Sequence, residues 1–60
     1  MSREALCYFV TTGSKVRAER LTERTAIIIA RAIARAEHVT VDVFRNDRDG
    51  GITLVSQWEE

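Results

Sequence analysis

The chain has one cysteine (Cys7), one histidine (His38), no proline and only three glycines among its 60 residues. A single cysteine excludes an internal disulfide, and a lone thiol in an apolar run fits a reducing compartment. One Cys and one His cannot supply the four ligands of a structural zinc site. No apolar stretch approaches the ~20 residues that span a bilayer. The run from Ala5 to Val10 is too short and too poorly flanked for a secretory signal. The expectation is a cytoplasmic protein with no membrane segment, no metal and no cofactor.

Sixty residues make one domain, residues 1–60. A chain of this size buries only roughly 60% of the surface that its unfolded form exposes. Ordering costs roughly 1.5 kcal/mol per residue, and burial barely offsets it. With disulfide and zinc excluded, either very good packing or self-association must supply the remainder. A hydrophobic content of 45% is too high for a disordered chain.

The formal net charge is zero, yet the charges are segregated. Up to Ala36 there are seven basic residues and three acidic ones; from Glu37 onward there are two basic and six acidic. A bipolar chain of this kind can pair with itself or offer its basic half to an anion.

Glu4 to Thr12 reads as a strand, uncharged from Ala5 and apolar on both faces, as in a central strand. Gly13 and Ser14 end it. Lys15 to Arg20 is polar and basic and reads as a loop or an early helical turn. Thr22 is an N-cap, Glu23 suits the positive end of the helix dipole, and Arg24 to Glu37 is rich in the helix formers Ala and Arg. At 100° per residue, Thr22, Ala26, Ile29, Ile33 and Ala36 form the core stripe, bordered by Ala30. Arg24, Arg31 and Arg35 fall on the far side, with Ile27 and Ile28 outside the stripe.

His38 to Arg45 alternates cleanly, placing Val39, Val41 and Val43 on one face. Asn46 to Gly51 is the clearest turn signal in the chain. Ile52 to Trp58 is the return strand, with Ile52, Leu54 and Trp58 on one face and Thr53, Val55 and Gln57 on the other. The predicted fold is α+β: a β-α-β-β chain whose three-stranded sheet carries one helix packed on one face. If strands one and two run parallel, their crossover is right-handed.

One helix covers one face. The valines of the second strand are taken to face it, which leaves Phe44 and Val55 on the open side. The first strand adds either Leu6, Tyr8 and Val10, or Cys7 and Phe9. Cys and Phe are buried more often than Tyr, which favours the first set. Leu6, Tyr8, Val10, Phe44 and Val55 are therefore the expected open or dimer face. An apolar patch of that kind marks a contact surface, and a homodimer is its simplest occupant.

No constellation points to catalysis. Cys7 has neither a helix N-terminus nor a cation beside it in sequence and reads as a core thiol. His38, at a helix-to-strand junction, reads as a helix cap. Asp47 and Asp49 lack the remaining ligands of a calcium loop. Gly50 and Gly51 lack the Lys and Ser/Thr of a phosphate loop.

The strongest functional feature is the mixed basic and isoleucine-bearing surface of Arg24, Ile27, Ile28, Arg31 and Arg35, which suits a protein partner. Lys15, Arg17 and Arg20 are candidate anion contacts. A pI near 6.6 does not suit a dedicated nucleic-acid binder. The sequence thus predicts a small non-enzymatic binding or regulatory protein, a homodimer acting through protein–protein contacts, of the kind encoded by bacteria or phages. Two alternatives stand beside it. One is a nucleic-acid binder using the basic helix face. The other is an oligomeric enzyme with Tyr8, His38 and Asp42 at a subunit junction.

Overall fold

The computed structural model describes residues 5–59, with side chains from Cys7 onward. Its elements are β1 (Ala5–Thr12), β2 (Lys15–Arg20), α1 (Glu23–Glu37), β3 (Val41–Asp47) and β4 (Ile52–Trp58). The strands form one sheet in the order β2-β1-β3-β4, and every pairing is antiparallel. The fold is α+β with one helix on one face, as the sequence predicts. It has four strands where three were expected, because Lys15 to Arg20 is a strand.

β2 escapes detection because it is an edge strand. Lys15, Arg17, Glu19 and Arg20 are the charges by which an edge resists pairing with other chains, and they erase the apolar signal. Gly13 and Ser14 form the two-residue turn that starts β2, with Gly13 at φ +60 where a side chain would be strained. The extra strand reverses the chain before the helix. β1 and β3 are consequently antiparallel neighbours, which overturns the parallel crossover. The helix instead links β2 to β3, two strands of the same direction with β1 between them.

The helix begins as expected. The Thr22 hydroxyl accepts the Thr25 N–H at 3.3 Å, and the Thr25 hydroxyl donates to the Thr22 carbonyl at 3.1 Å. It ends at His38, whose backbone is left-handed (φ 56) and whose N–H donates to the Ala34 carbonyl at 2.9 Å. His38 is therefore a cap through its backbone.

Val10, Val41 and Val43 lie under Ala26, Ala30 and Ala34, and all six are at most 2% exposed. The buried helix row is thus the i, i+4 alanine series, with Ile29 and Ile33 packed at its flanks and Ala36 exposed. This rotates the expected stripe. Alanines let the helix axis sit close over the valines, and the isoleucines are too large for that line of closest approach.

Three irregularities in register set which side chain faces which way. One lies at Arg17, one at Leu6 and one at Val55. Each inserts a residue and reverses the facing of the residues beyond it. Val55 consequently lies on the helix-covered face, with Ala18 and Trp58. Tyr8 and Val10 lie there as well, because Val10 pairs with Val43 beneath the helix, so the burial preference of Cys and Phe pointed to the wrong face of β1. The expected open-face set is corrected at those three positions, and the side chain of Leu6 lies outside the described residues.

Candidate interaction surfaces

The face turned away from the helix is built in three cross-strand rows. Glu19, Phe9, Phe44 and Leu54 form one row across all four strands. Val16, Thr11, Asp42 and Gln57 form the next, and Cys7, Asn46 and Ile52 the last. Phe9, Thr11, Val16, Phe44 and Ile52 line one shallow apolar hollow at the centre. Val16, Ile52 and Leu54 are 57%, 66% and 51% exposed, which is far more than a satisfied core allows. Of the expected set, Phe44 alone among the described side chains is on this face.

The polar groups of this face sit around its apolar centre. Asp42 accepts from the Gln57 amide at 2.8 Å. The Cys7 thiol donates to Glu19 at 3.3 Å, and Asn46 lies 3.9 Å from the sulfur. Burial pushes the Cys7 thiol up from its ordinary pKa, and the Glu19 carboxylate adds to the rise. A thiol held protonated in this way suits packing better than nucleophilic attack. The Thr11 hydroxyl is shut off from water and has no hydrogen-bond partner among the described residues.

The opposite surface is the outer side of α1. Ile28 is 58% exposed between shallow depressions lined by Glu23, Arg24, Ile27, Arg31, Ala32 and Arg35. The Arg31 guanidinium lies 5.1 Å from the centroid of the Trp58 ring, a cation–π contact that ties the last strand to the helix. The sequence-predicted cluster is thus brought together on one face, with Ile27 half-buried at its border.

Lys15, Arg17 and Arg20 do not join that cluster. They lie on β2, and the irregularity at Arg17 turns its side chain to the end of the helix, where it pairs with Glu37. Glu37 is held below the usual carboxylate range by its hydrogen bonds from Arg17, and Arg17 is raised in turn.

The hairpin acids are structural. Asp47 accepts from Arg45 and from the Thr53 hydroxyl, and Asp49 accepts the Gly51 N–H at 2.9 Å. Gly50, at φ +95, closes this turn through its N–H to the Asp47 carbonyl. Among the described residues no group of three or more His, Cys, Asp or Glu could hold a metal ion. Tyr8 and Asp42 lie on opposite faces of the sheet, and His38 stands at the end of the helix. One chain therefore does not gather these three into a site.

Sequence reasoning missed Phe9, Val16, Ile52 and Leu54 on the open face. Phe9 belonged to the alternative set for the first strand. Ile52 and Leu54 were misassigned because simple alternation carried Trp58 with them, across the extra residue at Val55.

No family model, curated protein or solved structure matches this chain. No helix among the described residues is long and apolar enough to cross a membrane.

Proposed function

We propose that this chain is a non-enzymatic binding protein that works through protein–protein contacts as a homodimer. The observation that carries the reading is the open sheet face, where Phe9, Phe44, Val16, Ile52 and Leu54 form an apolar centre with polar groups around it. That is the anatomy of a contact surface. The thin core points the same way, since its largest fully buried side chains are valines. Self-association supplies burial that a chain of this length lacks. The outer face of α1 is then the surface offered to a partner protein, with carboxylates for Arg24, Arg31 and Arg35 and an apolar side chain for Ile28.

The nucleic-acid reading has less behind it. The sheet aromatics Phe9 and Phe44 share their face with Glu19 and Asp42, which repel phosphates, and Arg17 is neutralised by Glu37. Sedimentation velocity and capture of a partner test the proposal together. A dimer is expected, with a partner retained by the wild type and lost by the double variant Arg31→Glu, Arg35→Glu. A monomer at millimolar concentration, or capture indifferent to the arginines, refutes the corresponding half. Binding to DNA or RNA that weakens steeply with salt would favour the alternative.

A further inference from the structure

We infer that the second copy of the chain seats on the open sheet face, so that two sheets stack with both helices outward. This inference rests on the homodimer reading above and decides which of three surfaces makes the dimer.

Area separates face from edge. Strands ~4.8 Å apart rising ~3.4 Å per residue give this face roughly 450 Å² in projection, before side-chain relief. That flat projection is a little over half of the ~800 Å² of accessible surface per partner that a standard interface buries, which places the dimer at the weak end of the range. A single strand edge offers about a quarter of it. The β2 edge is also blunted by Lys15, Arg17, Glu19 and Arg20, and the β4 edge is broken by the irregularity at Val55.

Charge separates face from helix. Pairing α1 with its own copy brings Arg24, Arg31 and Arg35 against three identical cations. Among the described residues the sheet face has two carboxylates, Glu19 and Asp42, and symmetry can keep them apart. A two-fold axis parallel to the strands, passing between β1 and β3, lays Phe9 over the partner's Phe44. The same axis sets Glu19 against the partner's Leu54 and Asp42 against the partner's Thr11. No carboxylate then meets another. Strands stacked in this way form an aligned sandwich, with side chains of the two apolar faces interdigitating.

The test uses three exposed positions, chosen so that folding survives: Val16→Glu on β2, Leu54→Glu on β4 and Ile28→Glu on the helix. Sedimentation is read for each across micromolar to millimolar concentration, with circular dichroism confirming the fold. Stacked faces need both outer strands, so Val16→Glu, set against the partner's Gln57, and Leu54→Glu, set against the partner's Glu19, should each weaken dimerisation by at least ~10-fold, since each buries a charge that has no opposite charge to meet. Ile28→Glu should leave it unchanged. Loss on Leu54→Glu alone assigns the dimer to the β4 edge, and loss on Ile28→Glu assigns it to the helix; either result overturns the inference and keeps the homodimer. A dimer indifferent to both strand variants overturns it too. A monomeric wild type removes the inference and the homodimer together. Should a variant unfold, amide chemical shifts of the wild type on dilution give the same answer. They should move at Phe9, Val16, Phe44 and Leu54; movement confined to α1 or to the outer edge of β4 refutes stacked faces.

Discussion

Arg17 and Glu37, twenty residues apart, are joined by a two-pronged ion pair, with Nη1 to Oε1 at 2.9 Å and Nη2 to Oε2 at 2.6 Å. It fastens the edge strand to the last turn of the helix. The Arg17 side chain also lies 3.4 Å from the Thr12 hydroxyl. An extra residue in β2 aims the guanidinium at the helix, so a strand irregularity and a helix terminus together make the clamp.

The clamp gives folding a pH dependence. Glu37 has a lower pKa folded than unfolded, so its contribution is full above the unfolded value and is lost as pH falls through the folded one. Arg17→Gln should lower the thermal midpoint at neutral pH. The gap to the wild type should close in acid, once Glu37 is protonated in both. Thermal melts by circular dichroism across that range read it, and a gap that persists in strong acid means that Arg17 acts by packing.

Thr11 holds an unpaired hydroxyl at a position only 8% exposed. Replacing a buried orphan by an apolar group of the same shape removes a desolvation penalty. Thr11→Val should raise the stability of the monomer by about 1 kcal/mol, read from the urea midpoint at a concentration where the chain is monomeric. A lower midpoint would show that the hydroxyl has a partner in solution.

The alanine row beneath the helix predicts a sharp contrast between neighbouring positions. Ala30 is fully buried against the valines, whereas Ala32 faces solvent. Ala30→Leu should cost about 1–3 kcal/mol by overpacking, and Ala32→Leu should be close to neutral. Equal effects in chemical denaturation would mean that the helix sits in another rotation.

His38 occupies a left-handed backbone conformation that glycine adopts without strain. His38→Gly should therefore stabilise the protein, by about 1 kcal/mol. Gly50→Ala, at φ +95 in the hairpin, should destabilise it by a similar amount. Urea denaturation of both variants checks the pair of signs.

The sequence by itself determined whatever depends on neighbours along the chain. The Thr22 cap, the helix from Glu23, the turn before Ile52 and the facing of Val41 and Val43 follow from capping chemistry, helix propensity and alternation. The clustering of Arg24, Ile28, Arg31 and Arg35 follows from helical spacing. Tertiary structure decided the rest. β2 is a strand because β1 offers it hydrogen bonds, which its charged residues give no sign of seeking. The helix settles on Ala26, Ala30 and Ala34 because the valines below admit nothing larger. The open face carries Val16, Ile52 and Leu54 because inserted residues reverse the parity of β2 and β4, and only pairing with a neighbour reveals an inserted residue; it carries Phe9 because the helix covers Val10, which burial frequencies of residue types do not foretell.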